Sequence, residues 1–120
     1  MIKKLIIEVA PVTLSLAPDQ ILAIKAEGNY STIILIDGQE ILVTRQIGKI
    51  EKHIRSQIPE EESLLLKLGR SLIINAQYIF MLNTGRDYGI ELRSLDFKTR
   101  RSFKPSREKL KELQEILKVS

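Results

Sequence analysis

Between Leu5 and Phe103, outside one stretch, the chain reads as short β-prone segments of about five to seven residues, most of them separated by turns that contain Gly, Pro, Asn or Asp. Segments of that length suit strands and are too short for helices. Leu5–Val9 and Val12–Leu16 are β-prone and split by Pro11, and Ala17-Pro18-Asp19 is a turn. Residues 21–26 and 30–36 read as strands joined through Gly28-Asn29, and Asp37-Gly38 predicts a two-residue hairpin loop into a strand over 40–44. Further strands are predicted over 64–68 and 78–82, then over 89–94 and 97–103 around a turn at Leu95-Asp96. Residues 69–75 read as an irregular or one-turn helical connection.

The exceptional stretch is 46–58, where Ile47, Ile50, Ile54 and Ile58 recur at three or four residues and Pro59 closes the run. That spacing is one face of a helix. A second amphipathic helix is predicted over 106–118, with Leu110, Leu113 and Leu117 on one face and Pro105 at its start. The fold class is mainly β with two short amphipathic helices, in one domain over residues 1–120.

Chemistry is narrowed by what the chain lacks. It has no cysteine and one histidine, His53, so neither a disulfide framework nor a Cys/His metal site can be built. No cofactor is expected. The Glu60-Glu61-Glu62 run follows a helix end and reads as a solvated loop rather than a pair of converging catalytic acids. There is no phosphate-cradling glycine loop and no Gly-x-Ser-x-Gly elbow, so no enzyme activity is expected. Lys3 and Lys4 precede Leu5-Ile6-Ile7, but Glu8 cuts that run short of a signal peptide's roughly 7 to 15 apolar residues. No run approaches the roughly 18 residues of a membrane span. A cytoplasmic location is expected, without a membrane partner.

Charge is distributed unevenly. Residues 1–60 hold seven basic and seven acidic side chains, whereas residues 61–120 hold twelve and eight, so the whole +4 excess lies in the second half. Lys98, Arg100, Arg101, Lys104 and Arg107 fall in a ten-residue window without an acid. Such a window fits a phosphate footprint and fits a solvated strand and turn equally well.

Three segments decide between those readings: Glu27-Gly28-Asn29-Tyr30, Gly69-Arg70-Ser71-Leu72-Ile73-Ile74-Asn75 and Pro105-Ser106-Arg107. In that order, with the hairpin and the short helix between the first two, they resemble the LytTR family of bacterial DNA-binding domains over residues 5–117. The resemblance implies elongated antiparallel β-sheets and DNA reading through loops and strand ends. The helices agree, since the first mixes Lys49, Lys52, His53 and Arg55 with Glu51, and the last carries Glu108, Glu112 and Glu115. Neither has the composition of a recognition helix.

Carried over by residue, the resemblance implies that Asn29 reads an adenine edge while Tyr30 reaches phosphate or sugar. Arg45 would contact the DNA backbone. Arg70 stands at a base-reading or phosphate-reading position with Lys67 nearby, and Gly69 replaces a histidine common in the family. Asn75 is expected to hydrogen-bond the backbone of the loop that displays Arg70. Leu72, Ile73 and Ile74 are expected in the core. Lys104, Ser106 and Arg107 complete the set, with Ser106 expected to cap the last helix and Arg107 to fork onto guanine or phosphate. Arg100 and Arg101, adjacent on a strand, should face opposite sides.

The expected function is therefore sequence-specific binding of double-stranded DNA by a transcriptional regulator, with two copies on adjacent repeats. Met1 directly ahead of the first strand suggests a stand-alone regulator, controlled by its abundance or by a sensor or regulatory protein. The alternative is a non-enzymatic protein-interaction or RNA-binding β module, the RNA version requiring a stacking platform that Tyr78, Phe80, Tyr88, Phe97 and Phe103 do not obviously form.

Overall fold

In the computed structural model, which describes residues 4–119, the strands are β1 (Leu5–Val9), β2 (Val12–Leu16), β3 (Ile21–Glu27), β4 (Tyr30–Leu35), β5 (Glu40–Val43), β6 (Leu65–Leu68), β7 (Leu72–Asn75), β8 (Ile79–Asn83), β9 (Gly89–Arg93) and β10 (Arg100–Phe103). The helices are α1 (Ile47–Gln57) and α2 (Arg107–Val119), with single helical turns at Pro18–Gln20, Glu60–Glu62 and Ala76–Tyr78. Lys3 of the basic start lies outside the described residues.

A five-stranded antiparallel sheet, ordered β5-β4-β3-β7-β6, forms the middle of the molecule. Alternate residues of a strand face opposite sides, so a strand covered on both faces has to be apolar at successive positions. Ile21-Leu22-Ala23-Ile24 and Ile33-Ile34 have that composition and are buried. On one face Ile24, Ile33 and Ile73 meet Ile47, Ile50 and Ile54 of α1 and Leu5, Ile7 and Leu16 of the β1–β2 hairpin. On the other, Ala23, Ile34, Leu72 and Ile74 meet Ile90 and Leu92 of the sheet β10-β9-β8 and Leu110 and Leu113 of α2. The result is an extended body of 44 × 34 × 28 Å that is mostly β.

Several local expectations need correction. Residues 72–75 are a strand, β7, and not a connection, because both faces of Leu72-Ile73-Ile74 are covered and both edges are paired, to β3 and to β6. The β4–β5 loop has three residues, Ile36, Asp37 and Gly38: Leu35 donates its amide to Gln39 O and accepts from Gly38 N. Gly38 takes a φ of +93°, so the loop is a tight turn completed by a left-handed residue. The strand predicted over 97–103 begins only at Arg100, since residues 95–98 form the β9–β10 turn. Tyr78 belongs to the turn before β8, where its hydroxyl donates to Asp19 O. Pro105 lies outside α2, whose first residue is Arg107, and Leu117 stays exposed while Leu110 and Leu113 are buried.

Candidate nucleic-acid interface

Strand direction alone gathers three loops at one end of the central sheet. β3 runs toward Glu27 and β4 returns from Tyr30, while β5 ends at Val43 opposite Ser31. β6 ends at Leu68, and β7 starts at Leu72 opposite Lys25. The Gly28-Asn29 turn, the Thr44–Gln46 link and the Gly69-Arg70-Ser71 turn therefore share that end. Gly28 (φ +68°) and Gly69 (φ +72°) both adopt the left-handed conformation that a side chain disfavours. Gly69, where the resemblance implied that a histidine is usual, therefore serves as a turn former.

Hydrogen bonds lock the loops to one another. Ala26 N donates to Ser71 O (2.9 Å), and the buried Ser31 Oγ donates to Arg45 O (2.7 Å). Gln46, at the cap position of α1, leaves the helix amides uncapped and donates its side-chain amide to Asn29 Oδ1 (3.2 Å). Asn29, Tyr30 and Arg70 are exposed on this framework and Arg45 is half-buried. Glu27 accepts from Thr32 Oγ1 (3.0 Å) and lies 3.3 Å from Lys25 Nζ, contacts that hold its carboxyl below the usual range and keep it ionised beside the turn.

Lys67 departs from that group. It pairs with Ile73, whose side chain faces α1, so its ammonium turns onto the helix and meets Glu51 at 3.3 Å. Glu51 is also 3.9 Å from Arg55.

A second group forms at the start of α2. Ser106 caps the helix: its Oγ accepts from Lys109 N (3.2 Å) and its carbonyl from Leu110 N (3.1 Å). Arg107 and Lys104 converge on the Tyr88 ring, with the guanidinium carbon 4.7 Å and the ammonium 4.8 Å from the ring centre. Arg107 Nη2 also donates to Gly85 O (3.5 Å), in a β8–β9 turn held by Asn83, which donates to Asp87 O and accepts from Gly85 N. The sequence offered no signal for Tyr88 or Gly85, because only the β9–β10 pairing brings that turn to the start of α2. Tyr78 is anchored at Asp19, and Arg101 binds Gly38 O and Glu40, so β8 and β10 both start beside the far end of the central sheet and run away from it. Arg100 and Arg101 face opposite sides as expected, and Arg101 is taken up by Glu40.

Asn75 is buried as expected, but its partners differ. Its Nδ2 donates to Pro18 O (3.2 Å) and Ile21 O (2.9 Å), and its Oδ1 accepts from Gln77 N (3.1 Å), all at the end of β7 remote from Arg70. Among the described residues, no group of three or more His, Asp or Glu could hold a metal ion, and no helix is long and apolar enough to cross a membrane.

The family model for the LytTr DNA-binding domain matches residues 12–118, which include all three loops and the start of α2. The chain belongs to the LytTR family. Among solved structures, this LytTR chain is similar to the LytTr DNA-binding domain of a Bacillus cereus protein described as a methyl-accepting/DNA response regulator. The TM-score is 0.62, with 95% of each chain covered and 10% sequence identity, a likeness of fold. None of the curated proteins matches the LytTR chain.

Proposed function

We propose that this LytTR domain binds duplex DNA sequence-specifically as a cytoplasmic transcriptional regulator, working by binding alone, and that residues 1–120 act as one domain. The observation that supports this best is the convergence of exposed Asn29, Tyr30 and Arg70 and half-buried Arg45 on three interlocked loops, together with Arg107 and Lys104 already arranged on Tyr88. Asn29, Arg70 and Arg107 take base edges, where paired hydrogen bonds discriminate. Tyr30, Arg45, Lys67 and Lys104 take the backbone and set the register. Ser106 acts through its cap, which fixes the direction in which Arg107 leaves the helix. Two copies on adjacent repeats would supply the selectivity that so small a surface lacks, and a stoichiometry of one protein on the full preferred site would remove that part of the reading.

Selection from a random duplex library is the direct test, and a shared motif should be enriched. Three or four cations on phosphate correspond to a slope of log K against log salt of about −3 to −4, or roughly a hundredfold loss between 50 and 200 mM. Binding that is indifferent to sequence, or that a single strand competes away as well as the duplex, would contradict the proposal.

Glu51 restrains Lys67, so Glu51→Gln should free the ammonium and remove a negative charge from the DNA side. We expect affinity for any duplex to rise about two- to fivefold, with no change in base preference and a slightly steeper salt slope, measured by fluorescence anisotropy. An unchanged affinity would mean that Lys67 stays on the helix in the complex.

A further inference from the structure

The outer face of the β10-β9-β8 sheet, turned away from α2 and the core, carries a cluster that DNA reading does not use. Phe80 (46% exposed), Met81 (52%), Phe97 (61%) and Leu95 (79%) are its apolar residues. The Phe80 and Phe97 rings meet edge to face at 5.8 Å, and the Arg93 guanidinium, paired with Glu91, lies 3.6 Å from the Phe80 ring centre. Beside Met81 a depression of about 320 Å³, lined also by Glu91 and Ser102, leads from this cluster to Tyr88 and Lys104 at the end of the sheet.

Two features of this cluster oppose local stability. Phe97 holds a φ of +62°, the only non-glycine residue with positive φ among those described, and a bulky residue there is strained. Arg100 lies directly across from Arg93, and like charges in that relation repel. Both persist on a rigid turn: Ser94 Oγ donates to Asp96 Oδ1 (2.7 Å) and accepts from Thr99 N (3.1 Å), while Asp96 also accepts from Lys98 N (3.0 Å). Those contacts keep the Asp96 carboxyl below its usual range, first through the Lys98 amide and then through the Ser94 hydroxyl. The nearby acids are thus engaged, Glu91 by Arg93 and Asp96 by the turn. Neither Lys98 Nζ nor the Arg100 guanidinium forms an ion pair among the described residues. The surface is an apolar centre with a cationic rim.

The geometry points to a docking site for an acidic amphipathic protein segment, which seats an apolar side chain on Phe80, Met81 and Phe97 and places carboxylates on Arg100 and Lys98. Aromatic residues, Met and Arg are the types enriched where protein partners bind. A single-stranded nucleic acid fits less well, because stacking needs open ring faces, Arg93 already covers that of Phe80, and Met81 and Leu95 offer none. From Arg100 to Phe103 the strand advances about 10 Å toward Lys104 and Arg107, so DNA and this partner could be held together. The inference does not depend on which residues read DNA.

The test is a display selection of random 16-residue peptides on the intact protein, followed by titration of the best synthetic peptide against Arg100→Glu and Phe97→Asn. Asparagine tolerates positive φ, so Phe97→Asn removes the ring while leaving the melting midpoint unchanged or raised. We expect enrichment of Leu, Phe or Met next to Asp and Glu, at least tenfold weaker binding to each variant, and unchanged binding of the selected duplex. Peptides without acidic residues, peptides insensitive to both substitutions, or no enrichment at all would overturn the inference. So would a twelve-residue oligothymidine that displaced the peptide and lost binding in Phe97→Asn, an outcome that assigns the face to single-stranded nucleic acid.

Discussion

Arg107→Ala should lower affinity for the selected duplex about ten- to a hundredfold, equivalent to roughly 1–3 kcal/mol for a lost guanidinium fork, and relax preference at one base position. The residue is exposed and is the first of α2, so its removal opens no cavity. Its position is unfavourable for the helix, whose N-terminal end is electropositive and repels a cation by about 0.3–1 kcal/mol. Against that stands the contact with Tyr88, worth about 0.5–1 kcal/mol at an exposed site. The two effects offset each other, and the melting midpoint should move by no more than about 3 °C. Anisotropy titrations over duplexes carrying single base changes separate the roles. Loss at one position marks base reading, and a uniform loss with a shallower salt slope would reassign Arg107 to phosphate. Arg107→Lys should keep the salt slope and lose the base preference, because an ammonium cannot form the fork.

What the sequence disclosed follows from the range of the interactions involved. β3, β4 and α1 were legible because their residues declare a period or a continuous apolar run. β7 was not, since its four residues follow a Gly-Arg-Ser turn and only pairing between Ile24 and Ile73 makes a central strand of them. The same holds for the side chains. Arg70 and Arg107 were legible as members of an ordered motif, whereas the turn of Lys67 toward Glu51 depends on which face Ile73 occupies. Tyr88 meets Arg107 only through the β9–β10 pairing. Phe80 and Phe97 gave no sign of their exposure, because whether an aromatic side chain near Ile and Leu is core or surface depends on which face of the sheet is covered.

Asn75→Ala should cost about 3 kcal/mol of stability and lower the melting midpoint by about 10–15 °C, with DNA affinity unchanged at temperatures where the variant is fully folded. The amide is 1% exposed and serves three backbone groups, the carbonyls of Pro18 and Ile21 and the amide of Gln77. Truncation removes all three hydrogen bonds, each worth about 1 kcal/mol net, and leaves the Ile21 carbonyl without its buried donor. Because β7 runs from the Arg70 turn toward Asn75, these bonds tie the entry of β3 to the exit of β7 at the end of the sheet away from the loops proposed to face DNA. Calorimetry and anisotropy on the same variant therefore distinguish two roles for one buried amide. An affinity loss in the folded variant would show that Asn75 supports the Arg70 loop, as the motif alone suggests. A stability loss alone places it as the staple between Pro18–Gln20 and the end of β7, and leaves orientation of Arg70 to the Ala26–Ser71 hydrogen bond and the left-handed Gly69.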